Sequence, residues 1–111
     1  ELLYEMTPPQ LLKAELDLYW VQHGGGDPVQ WIARCAGRMP LLHLKDMAIV
    51  LPREQRFAEI GQGNLNWPAL LQAAREAGVE YYLVEQDQTY DRDPFESLAI
   101  SYRYLKGLGL S

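Results

Sequence analysis

Seven residues, Pro40-Leu-Leu-His-Leu-Lys-Asp46, constrain the fold more than any other stretch of the chain. Leu41, Leu42 and Leu44 suit a strand covered on both faces. His43 and Lys45 interrupt that apolar run two residues apart, so they share one face. An ionisable pair on a buried strand is costly unless it has partners. Stretches of the same design lie on either side: Glu15-Leu-Asp-Leu-Tyr-Trp20 before it and Tyr81-Tyr-Leu-Val-Glu-Gln-Asp87 after it. Each is an apolar run that carries carboxylates.

The segments between these runs read as helices. Thr7-Pro8-Pro9 breaks the first ten residues, and a first strand region is expected from Leu11 to about Val21, with Asp17 and Tyr19 on one face. After the flexible turn His23-Gly-Gly-Gly26, Asp27 is an N-cap with Pro28 at the first helical position. Val29, Ile32, Ala33 and Ala36 form the helix's apolar stripe, and Gly37 closes it. The central strand runs from about Met39 to Asp46. Residues 47–65 form a long connection, expected to be a mobile loop closing over the strand ends, with a short extended piece at Phe57-Ala-Glu-Ile-Gly-Gln-Gly63. Asn66 caps a helix with apolar Trp67, Leu70, Leu71, Ala74 and Ala77 that ends at Gly78. A third strand covers Val79 to Glu85. Asp93-Pro94-Phe95-Glu96 then opens a last helix, expected to bury Phe95, Leu98, Ala99, Tyr102 and Leu105.

Strand-helix alternation of this kind implies parallel strands with right-handed crossovers and a site beyond the strands' C-terminal ends. Asp17, His43, Lys45, Glu85 and Asp87 all fall there. Three such units are an awkward complete domain, because both outer strands present unpaired edges. A full (β/α)8 barrel needs about 250 residues. The expectation is therefore a single incomplete domain, residues 1–111, forming part of such a barrel.

Composition narrows the partners. With 48% hydrophobic residues the chain is globular, and a net charge of −5 argues against a phosphate-binding surface for nucleic acid. No apolar run approaches the roughly 20 residues of a membrane span. The single cysteine, Cys35, permits no internal disulfide and suits a reducing cytoplasm. Glu1 is not an initiator methionine, so a trimmed N-terminus is expected.

Collinear motifs make a resemblance specific. They are Leu16-Asp-Leu-Tyr-Trp-Val21 with Gly24-Gly25 and Asp27-Pro28, His43-Leu-Lys-Asp-Met47, Glu59-Ile-Gly-Gln-Gly63 with Asn66-Trp67, and Val84-Glu-Gln-Asp87. Together they resemble the sugar phosphate isomerase/epimerase family of xylose isomerase-like TIM barrels, in its last three βα units. The resemblance implies a divalent metal (Mn, Mg, Co or Zn) held by two glutamates, an aspartate and a histidine. It places the aspartate at Asp17, the histidine at His43 and the second glutamate at Glu85; the first glutamate belongs to an upstream strand with no counterpart here.

It further implies that Glu85 moves the proton next to a substrate carbonyl, the substrate being a sugar, sugar phosphate or polyol. A bound cation polarises the oxygens and acidifies the adjacent C–H. Lys45 is read either as a ligand of a substrate oxygen or phosphate or as an ion-pair partner of Asp46 or Asp87. Trp20 either stacks on a sugar face or packs in the barrel wall, and Glu59 either reaches substrate or fixes its loop. His23 fits no motif and is expected to be exposed, while Trp31, Trp67 and Tyr81-Tyr82 are expected to pack. The preferred activity is isomerisation or epimerisation, absent from this chain alone. Rival readings are a keto-polyol dehydratase, a non-catalytic interaction module, or a nuclease for damaged DNA, disfavoured by the acidic charge. Association with another copy or with the missing barrel segment is expected.

Overall fold

A computed structural model of the chain describes residues 1–110. Three short strands, β1 (Glu15–Asp17), β2 (Leu41–Leu44) and β5 (Tyr81–Val84), form a parallel sheet in the order β1-β2-β5. The register sets Asp17 opposite His43, and His43 opposite Leu83. Period-two alternation then sorts the side chains into two faces. Leu42 and Leu44 turn outward and are fully buried in a core with Met39 and with Ile32, Leu70, Leu71 and Ala74 from the covering helices. Glu15, Asp17, Leu41 and His43 occupy the other face, and Lys45 and Glu85 follow just beyond the strand ends.

Helix α1 (Leu2–Met6) stops at Thr7 before the double proline. α3 (Pro28–Arg34) starts as expected, with Asp27 accepting from Val29 and Gln30 N–H groups and Pro28 at the first position. α4 (Trp67–Ala77) is capped by Asn66, which accepts from Ala69 N–H, and ends at Gly78 in the left-handed region. α5 (Pro94–Gly107) begins at Asp93, which accepts from Phe95 and Glu96 N–H groups. Cys35 lies buried beneath this layer, and burial pushes its thiol up, away from the reactive thiolate.

Three expectations need correction. The first strand does not run to Val21: it ends at Asp17, and Leu18–His23 is a helix, α2, so Tyr19 and Trp20 are helical. The reason is Asp17 itself, whose Oδ1 accepts from Trp20 N–H at 3.0 Å and caps α2. The connection 47–65 is not an open loop either. It contains an antiparallel hairpin, β3 (Asp46–Val50) with β4 (Glu54–Ala58), pairing Asp46 with Ala58.

The last helix buries Ser97, Ser101 and Leu105 instead of Phe95, Leu98 and Tyr102, and Phe95 is 81% exposed. The two serines, one turn apart, dock α5 on the loop through hydrogen bonds. Ser97 Oγ donates to Glu59 Oε1 at 2.7 Å, and Ser101 Oγ accepts from Ile60 N–H at 2.9 Å.

Asp46 holds the loop beneath the hairpin. It is fully buried, and its carboxylate accepts from the N–H groups of Met47, Gly61, Gly63 and Leu65 and from Trp67 Nε1 at 2.7–3.3 Å. The loop crowds so closely that a Cβ at Gly63 would overlap Met47 O and come within 2.5 Å of Asp46 Oδ1. Gly61 adds a positive φ of 87° with the Tyr104 ring against it.

Candidate metal centre

The cluster follows from the strand register. Asp17 and His43 face each other across β1 and β2, and Glu85 leaves β5 one position beyond its last paired residue. One ligand atom from each of Asp17, His43 and Glu85 lies within 4.8 Å of the other two. His43 Nδ1 is 3.0 Å from Glu85 Oε2 and 3.9 Å from Asp17 Oδ2. Asp17 has two jobs: Oδ1 caps α2 while Oδ2 faces the cluster, so the helix cap fixes the carboxylate's direction. Two carboxylates and an imidazole are a donor set suited to a hard or borderline divalent cation.

Lys45 lies beside them, its side chain 3% exposed, with Nζ 3.0 Å from Asp17 Oδ2, 3.3 Å from Glu85 Oε2 and 2.9 Å from Asp87 Oδ2. Burial by itself would lower the pKa of this ammonium. The hydrogen bonds to Asp87 and Asp17, and then to Glu85, outweigh that effect and hold it above its ordinary value. Of the two ion-pair partners considered for Lys45, Asp87 is the one it contacts. Asp46 points away into the loop.

Trp20 is half-exposed and stands beside this group, its ring centroid 5.8 Å from Lys45 Nζ and 4.9 Å from Tyr19. Phe57 of β4 stacks on Tyr19 at 4.6 Å and is 5.7 Å from Lys45 Nζ, which extends the aromatic surface beside the carboxylates. His23 is exposed as expected and packs on Tyr19 and Trp20. Trp67 is buried, whereas Tyr81 is exposed and packs less than anticipated.

Glu59 belongs elsewhere. Its carboxylate accepts from Ser97 Oγ and pairs with Arg92 Nε at 3.0 Å, so its contacts fix the loop to α5. Burial would raise its pKa, but the Ser97 hydrogen bond, a backbone N–H and Arg92 together hold it below the ordinary carboxylate value. A lowered native pKa stabilises above the unfolded value and is lost as pH falls. Glu59→Gln is therefore expected to cost about 1–2 kcal/mol near neutral pH and progressively less toward about pH 3. Urea denaturation of both proteins at the two pH values checks this; a constant difference would contradict it.

Sequence reasoning missed Glu15, whose Oε1 lies 3.0 Å from His43 Nε2. The signal was present in the Glu15-x-Asp17 spacing, which puts both carboxylates on one strand face. It also missed Phe57 as a neighbour of Lys45, because only the hairpin brings the two together.

Known structures share this fold. A sugar phosphate isomerase/epimerase from Parabacteroides distasonis ATCC 8503 superposes with a TM-score of 0.76 at 33% identity over 95% of this chain. The chain resembles the sugar phosphate isomerase/epimerase family. A second sugar phosphate isomerase/epimerase structure from that organism matches at 29% identity with the same TM-score of 0.76. A xylose isomerase domain protein from Planctomyces limnophilus shares the fold at 21% identity and a TM-score of 0.71 over 96% of this chain. The chain spans only 34% of each isomerase/epimerase structure and 40% of the xylose isomerase domain protein. Its parallel sheet and covering helices thus match part of a TIM barrel. No family model and no curated protein matches the chain. No helix among the described residues is long and apolar enough to cross a membrane.

Proposed function

We propose that Asp17, His43 and Glu85 are ligands of a divalent metal in a barrel that isomerises or epimerises a sugar or sugar phosphate. The observation that carries this reading is the convergence of their ligand atoms within 4.8 Å at the ends of three adjacent parallel strands. Such a cation would polarise the substrate's carbonyl and hydroxyl oxygens and make the neighbouring C–H more acidic. Glu85, nearly half-exposed, is the carboxylate that takes that proton and returns it. Lys45, held between Asp17, Glu85 and Asp87, offsets part of the carboxylate charge. Trp20 offers a ring face beside it. A reducing cytoplasm suits the buried free thiol of Cys35.

The three ligands leave coordination positions open, so this chain alone is expected to bind Mn2+ weakly and to turn over no sugar. Calorimetric titration with Mn2+ tests the site. Saturable binding should be lost in His43→Ala and in Asp17→Asn. Absence of binding, or binding indifferent to both changes, would overturn the metal reading.

The same partial barrel supports association with the remaining barrel units or with a second copy. β1 and β5 are the outer strands of the sheet, and Tyr81, Leu83, Phe95, Leu98 and Tyr102 are exposed around β5 and α5. Unpaired edges flanked by apolar side chains favour pairing. Light scattering on the concentrated chain is expected to show a dimer or larger species, and a stable monomer at high concentration would exclude self-association.

A further inference from the structure

The ring of His43 is gripped from two directions. Nδ1 faces Glu85 and Asp17, and Nε2 faces Glu15 Oε1 at 3.0 Å. Glu15 stands opposite Leu41, one layer below the Asp17–His43 pair and on the same face, so its carboxylate reaches up to the far side of the ring. Nδ1 is the ring nitrogen found within 4 Å of both Asp17 and Glu85.

We infer that Glu15 is the positioning residue of the metal centre, accepting the Nε2–H of His43 so that the Nδ1 lone pair is presented to the cation. This rests on the metal reading above. An imidazole ligand is directed by the partner of its second nitrogen, and a carboxylate there both selects the tautomer and raises the basicity of the ligating nitrogen. The strand geometry supports the assignment. Glu15 is not among the three residues whose ligand atoms converge, yet it is in phase with Asp17 on β1. Glu15 thus directs His43 from below while Asp17 and Glu85 meet the ion.

Titration of this chain with Zn2+, combined with 15N NMR of the imidazole ring, tests the inference. His23→Gln serves as the background, so that His43 is the one histidine observed. In the parent sequence on this background, Zn2+ should shift Nδ1 while Nε2 remains protonated. Glu15→Ala should weaken Zn2+ binding by about 10–100-fold and let the ring populate both tautomers. Glu15→Gln keeps a hydrogen-bond acceptor without the charge; it should retain the tautomer with a smaller loss of affinity. A purely structural role would change stability without moving the tautomer. Unchanged affinity and tautomer in Glu15→Ala, beside lost binding in His43→Ala, would overturn the role of Glu15 and leave the metal site standing. No binding by the parent, or full binding by His43→Ala, would overturn both.

Discussion

Asp46→Ala is expected to destabilise the chain by about 4 kcal/mol or more, most of the stability of a small domain at the low end of the usual range of about 5–15 kcal/mol. The carboxylate is fully buried and accepts from four backbone N–H groups and the Trp67 indole. Removing it orphans all five donors at once, and each buried donor left unsatisfied costs about 1–3 kcal/mol before relaxation. Water entering the vacated space recovers part of that loss. Asp46→Asn keeps one oxygen but turns an amide N–H toward donors, so its loss should be smaller yet still large. Urea denaturation followed by circular dichroism measures both, and an Asp46→Ala midpoint equal to that of the unmodified chain would show that the loop holds without this carboxylate.

Lys45→Met is expected to lower stability by about 2–3 kcal/mol in metal-free, low-salt buffer. Met fills most of the volume, so the loss is mainly that of a buried cation from among Asp17, Glu85 and Asp87. Glu85 and Asp87 are each more than a third exposed, and solvent screens their mutual repulsion, which keeps the figure at the low end. The same change deepens the negative potential where the proposed cation would sit. Millimolar Mn2+ should therefore restore stability to Lys45→Met more than it stabilises the unmodified chain, by linkage between folding and binding. Equal stability of the two proteins without metal, or no gain with Mn2+, would contradict this.

Local chemistry made much of the frame legible. Asp27-Pro28, Asn66 and Asp93-Pro94 start helices because the cap and the donors it satisfies lie within three residues of each other. Gly78 ends α4 for an equally local reason. The parallel strands and the convergence of Asp17, His43 and Glu85 were also legible, since apolar runs ending in polar groups recur at the spacing of βα units. Asp17 marks where this reading fails. Leu16 to Val21 is apolar enough for either period, and only the cap formed with Trp20 N–H turned the second half into a helix.

Tertiary structure alone decided the rest. The donors to Asp46 arrive mostly from 15 to 21 residues downstream, so nothing near it in sequence announces that it organises the loop instead of pairing with Lys45. Ser97 and Ser101 became the docked face of α5 because Glu59 and Ile60 offered polar partners there, leaving Phe95 and Tyr102 outside. Helical periodicity tells which residues share a face. Which face is buried depends on what the rest of the chain brings against it, and that is a property of long-range contacts.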